Sequence, residues 1–216
     1  MKKILLFDLD GTLTDPALGI TNSILYALEK MGFPRPPRAE LYPFIGPPLV
    51  ESFQKYCSMT AAEAEHALAV YREYFSVTGL FENEVYEGIP AALANLRAAG
   101  FSLCLATSKP EKFARQIMDH FDLAKYFDFI GGADIEGARG AKADVIGYVL
   151  AAVGAHAADA LMIGDRMHDA EGAAAHGIPT VGVTWGYGSE EELRRAGAIR
   201  LARTPAEMVT IVRSVG

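Results

Sequence analysis

Asp8 and Asp10 stand two residues apart, after the apolar run Ile4-Leu5-Leu6-Phe7 and before Gly11. On an extended segment residues i and i+2 face the same side, so both carboxylates would converge at the end of a strand. Gly11 then allows a tight turn. Two carboxylates in one small site repel, which raises one pKa or calls for a cation between them. Taken alone, Asp-x-Asp-Gly is also an ordinary polar turn. A second acidic pair, Asp165 and Asp169, follows the run Leu161-Met162-Ile163-Gly164. A helix starting between them would keep both near that strand's exit, although Asp residues also serve simply as helix caps. Acids delivered from two strands to one edge make a hard-oxygen site suited to Mg²⁺. No Cys/His cluster in the sequence points to zinc.

Thr107-Ser108 ends another apolar run, just before Pro110. A hydroxyl and free N–H groups at a helix N-terminus can cradle a phosphate, and the same residues can equally cap the helix. Lys142 opens a later helical pattern. It reads either as a solvated lysine or as the cation that an acidic, anion-binding site needs. That need is large: a phosphate dianion ~4 Å from one carboxylate is repelled by about 8 kcal/mol at an effective dielectric of about 20.

Elements must hold these residues in place. Compact apolar runs recur at 4–7, 101–107, 127–131, 160–164 and 180–184, and helical patterns lie between them at 90–99, 110–121, 142–153 and 168–176. Strand alternating with helix implies an α/β fold, a Rossmann-like, doubly wound parallel sheet with helices on both faces. In such sheets the chemistry sits outside the carboxyl ends of the strands. One stretch breaks the alternation: helical periodicity at 16–31, 48–56 and 61–77, with no buried strand. The expectation is a core of 1–15 and 86–216 around an inserted helical lobe of 16–85.

Composition narrows the function classes. Half of the 216 residues are hydrophobic, so disorder is excluded as a description of the chain. With 20 Lys and Arg against 27 Asp and Glu, the net charge is −7. No basic excess is available for a nucleic-acid polymer, whereas one small phosphate ester needs only a local offset. Cys57 and Cys104 form no disulfide framework. The apolar run at the start is cut at Asp8, too short for a signal peptide, and no stretch reaches the ~20 apolar residues of a membrane helix. The expected setting is cytoplasmic, with no membrane partner.

Together, Asp8-Leu9-Asp10-Gly11-Thr12-Leu13, Thr107-Ser108-Lys109-Pro110, Lys142 and Gly164-Asp165-Arg166-Met167-His168-Asp169 resemble the four ordered motifs of the haloacid dehalogenase superfamily. The helical insert falls where members carry a small helical cap. Gly46-Pro47-Pro48-Leu49 with Ser52-Phe53, and Ala106-Thr107-Ser108-Lys109-Pro110 with Phe113-Ala114, resemble its 5′-nucleotidase-like and phosphoglycolate-phosphatase-like branch. Pro16 after Asp15, and Ala143 after Lys142, depart from the commonest pattern without touching a catalytic position.

The resemblance implies a Mg²⁺-dependent phosphoric monoester hydrolase acting on a small phosphorylated metabolite, as a monomer or weak homodimer. Asp8 would be the nucleophile and form an aspartyl-phosphate. Asp10 would protonate the leaving oxygen and then deprotonate the attacking water. Thr107 would bind the phosphoryl group and Lys142 would steady it, with Gly11, Ser108, Lys109 and the cap residue Gly46 also meeting substrate. Mg²⁺ would be held by Asp8, by the backbone carbonyl of Asp10 and by Asp165, with Asp169 in or beside the metal shell. A sugar phosphomutase would keep all these acids and is the alternative. A receiver-type phospho-switch is far shorter and lacks both the Asp-x-Asp pair and the insert. His66, His120, His156 and His176 read as structural, Arg166 and His168 as variable positions, and Tyr71, Tyr74 and Phe75 as core. Trp185-Gly186-Tyr187-Gly188 reads as loop packing, with a pocket role open.

Overall fold

The computed structural model describes residues 3–135 and 139–215. The chain divides into two compact units, one of Met1–Thr14 with Val85–Gly216 and one of Asp15–Glu84. Strand β1 (Ile4–Phe7) opens the first unit. Its Leu5, Leu6 and Phe7 have no exposed surface, since a central parallel strand has neither an open edge nor a solvent face. Each such side chain contributes about 1.5–3 kcal/mol by leaving water.

The chain leaves that unit through β2 (Thr14–Asp15). It forms α1 (Ala17–Lys30), a 3₁₀ segment over Arg38–Phe44, α2 (Leu49–Cys57) and α3 (Ala61–Tyr74). It returns by β3 (Glu84–Val85), paired with β2. Helix α3 is started by a reciprocal cap, in which Thr60 Oγ1 accepts from Glu63 N–H and Glu63 Oε2 accepts from Thr60 N–H. Where the sequence suggests helix through residue 77, α3 ends at Tyr74 and a π turn follows over Phe75–Gly79. A close backbone approach accompanies the turn: a Cβ on Gly19 would lie 1.9 Å from the Gly79 carbonyl oxygen. The aromatic stripe is largely core, with Tyr71 and Phe75 buried and stacked at 5.1 Å, while Tyr74 is half-buried and donates to Glu82.

The first unit continues through α4 (Ile89–Ala98), β4 (Ser102–Pro110), α5 (Glu111–His120) and β5 (Phe129–Ala133). Then come α6 (Lys142–Ala152), β6 (Ala160–Gly164), α7 (Met167–Ala174) and β7 (Thr180–Val183). Helix α8 (Glu190–Arg195), β8 (Arg200–Ala202) and α9 (Pro205–Val215) complete it. The six strands are parallel in the order β5-β4-β1-β6-β7-β8. The order turns back at β1, which places its exit and those of β4 and β6 at the usual site of chemistry in such sheets. Strand β8 is too short and too exposed at Arg200 to show as an apolar run. Among the described residues no helix is long and apolar enough to cross a membrane.

Candidate active site

Asp8 follows β1 directly and its N–H donates to the Ile163 carbonyl, so it is still tied to β6. Thr12, Leu13 and Thr14 all donate to the Leu9 carbonyl, which closes the turn that carries the chain away. Asp165 follows β6, and Asp169 sits in the first turn of α7. Asp8, Asp165 and Asp169 are all buried, and each offers a carboxylate oxygen within 4.8 Å of the others. Between them reaches Lys142, the first residue of α6. Its Nζ lies 2.8 Å from Asp8 Oδ1 and 2.8 Å from Asp169 Oδ1, and donates to the Ala106 carbonyl at 3.0 Å. Burial pulls the Lys142 ammonium down, but the Asp169 and Asp8 charges overcome it and hold its pKa above the usual lysine range.

Asp165 is clamped from several directions. Thr12 Oγ1 donates to its Oδ1 at 3.2 Å and Tyr187 N–H to its Oδ2 at 2.8 Å, while Trp185 Nε1–H bonds the Thr12 carbonyl at 3.1 Å. Glycine makes this fit possible. A Cβ on Gly11 would lie 2.2 Å from Asp165 Oδ2, and one on Gly188 would lie 1.9 Å from the Asp165 carbonyl oxygen. Gly11 also holds φ at +85°. Burial first, then the Asp169 and Asp8 charges, push the Asp165 pKa well above the usual carboxylate range. Burial likewise raises Asp169 against the pull of Lys142.

Asp10 belongs to a different arrangement. Its Oδ2 lies 2.5 Å from Lys109 Nζ in a pair whose side chains are 14 % and 6 % exposed. Its Oδ1 is buried with no hydrogen-bond partner among the described residues. Burial raises the Asp10 pKa, with Lys109 opposing. Thr107, almost fully buried near the end of β4, accepts a hydrogen bond from Lys109 N–H at 3.2 Å. Pro110 is the last residue of β4 and caps α5, rather than opening the helix. The strand shifts register between Thr107 and Pro110.

The three-carboxylate cluster suits a hard divalent cation by donor type. Two further features favour that fit. Asp8 Oδ1 and Asp169 Oδ1 are buried and, although close to Lys142, accept no well-aligned hydrogen bond among the described residues. The three carboxylates also crowd one another, while the Lys142 ammonium meets Asp8 and Asp169. Asp10 gives one of its carboxylate oxygens, Oδ2, to Lys109.

The family model for haloacid dehalogenase-like hydrolases matches residues 5–183. The chain belongs to that family. It is 48% identical over 190 residues to the 5′-nucleotidase of Pseudomonas aeruginosa, covering 88% of this chain and 86% of that protein. It is 44% identical over 187 residues to the tyrosine-protein kinase PtkA of Mycobacterium tuberculosis, covering 86% of this chain but only 63% of PtkA. The crystal structure of a predicted phosphatase from Clostridium acetobutylicum superposes with a TM-score of 0.96 at 44% identity, covering 99% of both chains.

Within this haloacid dehalogenase-like core the structure brings Asp8, Asp165, Asp169 and Lys142 together, and joins Asp10 to Lys109 beside Thr107. Ser108 is half-buried on the same stretch. Gly46 belongs to the helical unit, at an exposed turn with φ +105°. Asp169 unites both readings open to it, since Oδ2 caps α7 by accepting from Arg166 N–H at 3.1 Å while Oδ1 meets Lys142. Sequence reasoning undervalued Trp185-Gly186-Tyr187-Gly188, whose backbone holds Asp165. The signal was two glycines flanking a residue just past a strand's end.

Proposed function

We propose that this phosphatase of the haloacid dehalogenase-like family hydrolyses a small phosphate monoester, of nucleoside monophosphate or phosphoglycolate type, through an aspartyl-phosphate on Asp8. The observation that carries the reading is the division of labour between two acids two residues apart. Asp8 lies in the lysine-bound cluster, and Asp10 is drawn off onto Lys109 with one oxygen buried and unbonded.

A carboxylate oxygen of Asp8 attacks phosphorus while the bond to the ester oxygen breaks, and that oxygen leaves with the proton of Asp10. Water then attacks the acyl phosphate, returns a proton to Asp10, and frees Asp8 and inorganic phosphate. Lys142 offsets the charge that gathers at Asp8. Thr107 already accepts from Lys109 N–H, which leaves its hydroxyl hydrogen for a phosphoryl oxygen. Ser108 and the backbone at Gly11 complete the phosphoryl contacts. Asp8, Asp165, Asp169 and the Asp10 carbonyl would hold Mg²⁺, which when bound supplies electrostatic relief for the phosphoryl oxygens. The helical insert of 16–85, Gly46 included, is assigned the choice of leaving group.

The test is phosphate release with and without Mg²⁺ across nucleoside monophosphates, phosphoglycolate and sugar phosphates. A preference of about tenfold in kcat/KM, equal to ~1.4 kcal/mol, identifies the substrate class. Isomer formation without phosphate release would move the assignment to a mutase. Transfer of phosphate to a tyrosine peptide in place of water would move it to the activity named for PtkA.

A further inference from the structure

We propose that Lys109 is a positioning residue for Asp10, fixing which carboxylate oxygen handles the proton. The proposal rests on the reading of Asp10 as proton donor and acceptor. A lysine that served only to contact substrate would be expected to keep a mobile ammonium, because its long stem is flexible and its head well hydrated. Lys109 is held instead at both ends. Its N–H is bonded to Thr107 Oγ1. Its carbonyl faces a glycine on β5, where a Cβ on Gly132 would come within 2.6 Å of the Lys109 oxygen. Its ammonium is spent on Asp10 Oδ2 at 2.5 Å, in a pair almost removed from water.

The consequence falls on Asp10. With Oδ2 committed to a cation, Oδ1 is the oxygen left to carry a proton, and it is the buried one with no partner among the described residues. A carboxyl group free to rotate would present either oxygen, and part of its time would be spent in unproductive orientations. Lys109 removes that freedom. It does so from the strand that also carries Thr107, so the proton donor and the phosphoryl-binding hydroxyl are set from one segment. In the reaction the proton on Oδ1 passes to the ester oxygen as its bond to phosphorus breaks, and a proton from the attacking water replaces it.

The test separates positioning from substrate contact by leaving group. p-Nitrophenyl phosphate departs as a weakly basic phenolate and needs little protonation. The best alkyl ester of the substrate panel departs as an alkoxide and needs it fully. Lys109→Met is expected to lower kcat on the alkyl ester at least about tenfold more than on the aryl ester, with KM almost unchanged and with partial recovery in Lys109→Arg. In an Asp10→Asn background, Lys109→Met should add nothing to that ratio. Should Lys109→Met fail to fold, Lys109→Gln carries the same comparison. Equal losses on both esters, a loss expressed only in KM, or additive effects with Asp10→Asn would overturn the proposal and make Lys109 a substrate contact. An unchanged alkyl-to-aryl ratio in Asp10→Asn alone would overturn the proton-donor reading itself, and the role of Lys109 with it.

Discussion

Two lysines in the core meet acids in opposite ways. Lys142 stands between Asp8 and Asp169, and Asp165 offers a third carboxylate oxygen within 4.8 Å of theirs. Lys109 meets Asp10, in a pair almost removed from water. The first region is short of positive charge, so its stability and chemistry are open to a divalent cation and to the phosphoryl group. The second pairs an ammonium with one carboxylate oxygen, and the effect proposed for it falls on the orientation of Asp10. Both lysines are almost fully buried, so burial alone does not tell the roles apart; the acids that each one meets do.

The comparison breaks most sharply at Asp8. Asp8→Asn is expected to lower kcat by at least about four orders of magnitude, as removal of a nucleophile does, while the Asp10–Lys109 pair stays intact. Retained phosphate release in that variant would end the assignment. Lys142→Met comes next, since it leaves buried carboxylates facing one another without a cation. It should cost roughly 3–5 kcal/mol of stability in metal-free buffer by chemical denaturation, with much of the loss recovered on adding Mg²⁺. Lys109→Met should cost less and show no such recovery.

A smaller effect is expected from Gly186→Ala. A Cβ there would lie 2.4 Å from Asp165 Oδ2. Disturbing the support of a metal-ligating carboxylate typically weakens metal affinity about 10–100-fold, which calorimetric titration of Mg²⁺ would measure. The alkyl-to-aryl kcat ratio governed by Asp10 should stay as in the parent.

The smallest expected effect is a pH dependence. Asp165 and Asp169 have folded pKa values above their unfolded ones, Asp165 through burial and then the Asp169 and Asp8 charges, Asp169 through burial against the pull of Lys142. Their protonated forms therefore favour the metal-free fold at low pH. That contribution is lost as pH rises from about 4 through the raised values. Mg²⁺ compensates where they are ionised, so the rise in Tm on adding it should be greater at about pH 7.5 than at about pH 5. Equal rises would mean that ion binding is not linked to ionisation of these two carboxyls.

Much of the site was legible because the chemistry depends on residue type and on strand ends. Asp8, Asp165 and Thr107 each stand at or near the end of an apolar run, and an apolar run in this fold is a buried strand. The partnership of Lys109 with Asp10 was not legible, since the two are 99 positions apart and Lys109 carries no local signal beyond its place after Thr107. The same holds for Tyr187, which acts through a backbone N–H that any residue has. The π turn after Tyr74 was hidden because it accompanies a meeting of Gly19 with Gly79, a contact without periodicity.

From its sequence alone this protein has a parallel α/β core, an inserted helical stretch, a set of acids at strand exits and a family resemblance carried by ordered motifs. Those follow from the pattern of apolar and polar residues, because burial demands that pattern wherever the chain folds this way. Only the tertiary structure decided which acid meets which lysine. Pairing depends on strand order, on a register shift of a few residues in β4 and on glycines that let backbones close to contact, and none of these is a local property of the chain.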